Sequence, residues 1–70
     1  MMNKRLETYL DTQLNFVKVN PSAGELFLHN VFGAIEWEIF RLDDMNEIEN
    51  LREAWETEWR PRFEKAIWGD

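Results

Sequence analysis

Apolar residues recur at helical spacing in three stretches of the chain, separated by two breaks rich in turn and capping residues. In residues 3–19, Leu6, Tyr9, Leu10, Leu14 and Val17 follow steps of three, one, four and three, which puts them on one face of a helix. Lys4, Arg5, Glu7, Asp11 and Gln13 fall off that face. Asn3 suits the cap, where a side-chain oxygen accepts from a free backbone N–H. The tail Phe16-Val17-Lys18-Val19 is richer in β-branched residues and suits a fraying or extended end.

The second stretch, residues 22–42, follows the break Asn20-Pro21-Ser22-Ala23-Gly24. Ser22 with Glu25 has the spacing of a capping box, in which each side chain satisfies a backbone N–H of the other. At about 100° per residue, Leu28, Val31, Phe32, Ile35, Ile39 and Leu42 form one stripe. Leu26, Gly33, Trp37 and Phe40 form a second on nearly the opposite side, with Glu25, His29 and Glu36 as a polar strip between. A helix apolar on two sides is buried on two sides. Either this is the central helix of the domain, or one stripe meets a second molecule. Gly33 costs about 1 kcal/mol in a helix interior, and its small size would admit a close neighbour.

The third stretch, residues 44–68, begins after Asp43, with Asp43 or Asp44 as cap and Asp44–Glu47 again at capping-box spacing. Met45, Ile48, Leu51, Trp55 and Trp59 make its apolar face, and Phe63 and Ala66 continue it. Acidic residues crowd its start and basic residues its end, matching the helix dipole. Pro61 interrupts the pattern. The helix kinks there, or a short further helix starts with Pro61 in its first turn.

These elements predict an all-α fold: a small antiparallel three-helix bundle, its last helix kinked or split at Pro61, forming one domain over residues 1–70. Its core would be Leu6, Leu10, Leu14, Leu28, Val31, Ile35, Ile39, Ile48, Leu51, Trp55, Trp59 and Phe63. A rival reading makes residues 14–32 a β-hairpin turning at Asn20–Gly24, followed by two helices, an α+β fold. The length of the Leu28-to-Leu42 stripe and the agreement of the caps favour the bundle.

Charge and composition narrow the function. The net charge is −6, with 14 acidic and eight basic side chains. Direct nucleic-acid binding requires a basic face to displace counterions, and anionic lipid requires the same, so neither is expected. Residues 1–35 carry three bases and three acids, whereas residues 36–70 carry eleven acids and five bases, so the whole excess lies in the second half. With no cysteine there is neither a disulfide framework nor a thiolate metal site. The Met1–Tyr9 start is too polar for a signal-peptide core, and no apolar run is long enough to span a membrane, so a cytoplasmic location is expected. The ten aromatic side chains have a plain role in a chain of 70 residues, because a small core needs large side chains.

Chemistry has few candidates. Glu25 and His29 share a helix face and Glu36 lies on the same strip, a weak basis for a metal-binding sensor or enzyme, since a stable site needs three or four ligands. Ser22 is the one serine and reads as a cap, and no phosphate-cradling glycine loop is present. The expectation is a non-enzymatic protein–protein interaction module without cofactor or metal. It would be homodimeric or docked on a larger, basic protein. Leu26, Trp37 and Phe40 of the second stripe, the carboxylates Glu49, Glu53 and Glu56, and Trp68 near the end are the candidate contact residues. An acidic inhibitor that imitates nucleic acid toward a basic enzyme is the alternative.

Overall fold

The computed structural model describes residues 3–69. The single-domain reading of 1–70 also takes in residues 1, 2 and 70, which lie outside the described residues. The elements are α1 (Lys4–Val19), a 3₁₀ turn (Pro21–Ala23), α2 (Gly24–Arg41), α3 (Met45–Ala54), a π turn (Trp55–Trp59) and α4 (Arg60–Trp68). Among the described residues there is no strand, so the hairpin reading of residues 14–32 is overturned: these residues lie in α1, the 3₁₀ turn and α2. The last three elements follow one another without a break and form the third rod of a three-rod bundle. At about 1.5 Å per residue, that rod spans the 36 Å long axis of a molecule 36 × 18 × 17 Å in extent.

Capping agrees only partly with the sequence pattern. Asn3 caps α1, its Oδ1 accepting from the Leu6 N–H at 2.8 Å. Asp44 caps α3 by accepting from the Asn46 N–H at 2.7 Å. The proposed Ser22–Glu25 box does not form. Ser22 lies inside the 3₁₀ turn and donates to Asn20 Oδ1 at 2.7 Å, while α2 starts after Ala23 without a side-chain cap. The close seating of Gly24 explains why that start is fixed by packing. A β-carbon there would lie 2.5 Å from Ile67 Cγ1, so α2 and α4 meet at a distance only glycine allows.

The third rod is interrupted just before Pro61, as the sequence predicts, and α4 begins at Arg60 with Pro61 in its first turn. The interruption is a π turn, Trp55–Trp59, after which the Arg60 N–H reaches back five residues to the Trp55 carbonyl. Two causes coincide. Pro61 has no N–H to offer Thr57 and its ring crowds that carbonyl. In addition, Leu51, Trp55, Trp59 and Phe63 are each four apart, which at about 100° per residue would carry Phe63 about 120° away from Leu51. A π turn takes up one extra residue and removes about 100° of that drift. All four side chains are buried as a result.

The core is Leu6, Leu10, Leu14 and Val17 of α1, Val31 and Ile35 of α2, and Leu51, Trp55, Trp59 and Phe63 of the third rod. Trp55 is the hub, edge-on to Phe32 at 5.4 Å and tilted against Phe63 at 5.8 Å. Leu28, Ile39 and Ile48, expected in the core, are only half-buried, because they sit at the borders of the arcs where the rods meet. Tyr9, placed on the buried face of α1, lies at its exposed edge, and Val17 completes that face. No buried polar side chain lacks a partner among the described residues.

Candidate functional site

In α2 most of the first stripe turns inward: Val31 and Ile35 are buried, Leu28, Ile39 and Leu42 are half-buried against the core, and Phe32 lies exposed at the edge of the stripe. The second stripe is left outside. Leu26 is 64% exposed, Trp37 62% and Phe40 81%. Nothing lies within 4 Å of where a Gly33 β-carbon would be. Helical phase explains the arrangement. Gly33, Leu26, Trp37 and Phe40 sit about 180–240° from Val31 at about 100° per residue, opposite the arc that meets α1 and the third rod. Trp37 and Phe40 pair with ring centres 6.3 Å apart. Neither is covered by α1, although Trp37 shares a shallow groove with Arg5, Tyr9 and Ala34.

The apolar surface widens onto α1. Phe16 is half-exposed and stacks on Phe27 at 5.9 Å and 17°, one residue from Leu26. Tyr9 borders Trp37 at the other end. These two aromatics were not among the expected contact residues. The signal was available, because Leu6, Leu10, Leu14 and Val17 complete the buried face of α1 without them.

One flank of the exposed stripe is polar. His29 and Glu36 both line an open groove of about 550 Å³ between α2 and the third rod, with Phe32, Gly33, Ile35, Trp55 and Glu56. Glu25 lies on the same side of the helix, but Glu25 and Glu36 are eleven residues apart, about 16 Å along the axis. Among the described residues no three His, Cys, Asp or Glu come together as a metal-binding group. At the end of the helix, Glu38 ties α2 to α1, accepting from Asn3 Nδ2 at 3.0 Å while Arg41 lies 3.5 Å away.

The remaining candidates lie elsewhere. Glu49, Glu53 and Glu56 are exposed on the third rod. Glu56 is engaged by Arg60 through two bonds of 3.0 and 3.2 Å, and Arg60 also bonds Glu64 at 3.1 Å. The hydrogen bond to Glu56, then that to Glu64, holds the Arg60 guanidinium above its ordinary pKa. Trp68 is exposed rather than folded back on the bundle, and it stands beside Ile67 at the Gly24 end. Trp37 and Phe40 lie near the other end of α2, so the fold does not join Trp68 to them. The candidate site is therefore the outer face of α2 with its extension onto α1. No helix among the described residues is long and apolar enough to cross a membrane. Comparison with protein-family models, curated proteins and solved structures finds no match for this chain.

Proposed function

We propose that this chain is a non-enzymatic interaction module that docks on another protein through the outer face of α2. One observation carries the reading. Leu26, Trp37 and Phe40 stand out on a helix whose other side already supplies the core, and no charged side chain interrupts the face between them. Exposed apolar patches of this kind mark contact sites, and tryptophan anchors are the side chains that most often dominate such contacts. The carboxylates of the third rod lie outside this face, and Glu56 is already engaged by Arg60.

A photo-crosslinking residue tests the reading directly. Placed at position 40, it is expected to give discrete crosslinked species in native lysate, whether with a copy of the chain or with another protein. Placed at position 58, on the exposed acidic rod, it is expected to give none. Equal products at both positions, or none at position 40, would contradict the proposal.

A further inference from the structure

We infer that the occupant of the α2 outer face is a second copy of this chain, with the two α2 helices antiparallel and crossing at Gly33. The inference rests on the proposed docking role of that face and names its partner. Three observations converge on it.

Gly33 has no use within one copy. It weakens the helix, yet the space around it is open. Gly24, by contrast, is needed for a close approach inside the chain. A glycine in the middle of an exposed apolar face has a purpose when another backbone comes close to it.

Polar residues on one flank are self-complementary. His29 precedes Gly33 by four residues and Glu36 follows it by three, about 6 and 4.5 Å along the axis. Both line the same groove beside the stripe. A two-fold axis through Gly33 that pairs the helices antiparallel keeps each flank beside its own copy, as isologous contacts do. His29 then meets Glu36 of the second copy within about 1.5 Å along the axis, and the contact occurs twice. A parallel pair would set this flank against the opposite one and lose both contacts.

The area suffices once the flanks close. At roughly 150–250 Å² for an aromatic side chain, the exposed parts of Leu26, Trp37 and Phe40 offer on the order of 400 Å² per copy. Both copies together give about 800 Å², against the roughly 1,200 Å² where stable interfaces begin. His29, Asn30, Glu36 and Arg41, all exposed on the flanks, supply the remainder as a polar rim.

The test is charge complementation in the purified protein, read as solution mass across a concentration series up to about 1 mM. The wild type is expected to reach a dimer. His29→Glu sets two carboxylates against each other at both contacts, and Glu36→Lys removes the carboxylate that His29 meets at both; each is expected to weaken dimerisation about tenfold or more. Mixed one to one, they restore one contact and recreate the other in reversed sense, so the mixture is expected to dimerise nearly as well as wild type. Circular dichroism confirms that each exposed substitution leaves the bundle folded. A monomer throughout the series overturns the inference. So does a dimer indifferent to both substitutions, or a mixture no tighter than its components. A monomer that still crosslinks from position 40 to another protein would remove the second copy while the docking role stood; silence at position 40 would remove both.

Discussion

At Gly24 a β-carbon would press on Ile67 Cγ1 at 2.5 Å, an atom near the backbone that has little freedom to move. Gly24→Ala is therefore expected to destabilise the chain by about 1–3 kcal/mol, the range for overpacking a close contact. Gly33→Ala meets open space. In urea unfolding at concentrations too low for association it should stabilise the monomer by about 1 kcal/mol, the helix-propensity difference. The same methyl group would hold two helices apart, so this substitution should weaken self-association while strengthening the fold. Opposite signs for one substitution are hard to produce unless Gly33 faces a partner. At the start of α1, Asn3→Ala should cost about 1 kcal/mol, because it removes the cap on Leu6 N–H. Arg60 adds no pH dependence in the ordinary range. Its pKa is raised by Glu56 and Glu64, so its contribution is complete below the usual arginine value and is lost only as pH rises through a still higher one.

Among the elements, the third rod departs most from what a regular helix predicts. Its break at Pro61 was legible as a position, because proline removes a donor wherever it stands. Its form was not, because a fixed step of 100° per residue leaves no place for a π turn. The four-residue spacing from Leu51 through Phe63 already held the answer, since it suits an underwound segment better than a regular helix. The account can be tested by changing the length of the turn. Deleting the exposed Thr57 in a Pro61→Ala background, where no proline ring obstructs regular winding, returns the segment to ordinary helical winding with Phe63 still facing inward, and should cost no more than about 1 kcal/mol. Inserting an alanine after Thr57 rotates α4 about 100° further. Phe63 then leaves the core, and the loss should be about 3–5 kcal/mol, as for removal of a buried phenylalanine. Thermal unfolding of the two length variants gives the comparison.

For the whole molecule, the helical bundle and most of its core followed from apolar spacing, because each of the three faces was nearly complete within its own segment. The exposure of Trp37, Phe40 and Trp68 did not. Spacing shows that α2 is apolar on two sides but not which side its neighbours cover. A bundle of three rods settles this physically: each rod meets the other two over one arc, so a helix with stripes on opposite sides can bury only one. The stripe holding Val31 and Ile35 won because α1 and the third rod converge on it, and Leu26, Trp37 and Phe40 were left outside. The charge excess does not follow this division, because α2, with three acids and one base, and the third rod, with six acids and four bases, each carry a net −2. Tyr9 and Phe16 extend the apolar surface because α1 lies beside α2, where Phe16 stacks on Phe27 and Tyr9 borders Trp37.

The central claim is that the outer face of α2 exists to be covered by another copy. Sedimentation equilibrium of the wild type beside the Trp37→Ser, Phe40→Ser double variant tests it most directly. The account predicts a wild-type mass rising to twice that of the chain with concentration. It predicts a double variant that stays at the chain mass with its melting temperature, measured below the concentration of association, essentially unchanged. A wild type that remains at the chain mass, or a double variant that dimerises as readily as the wild type, would contradict it.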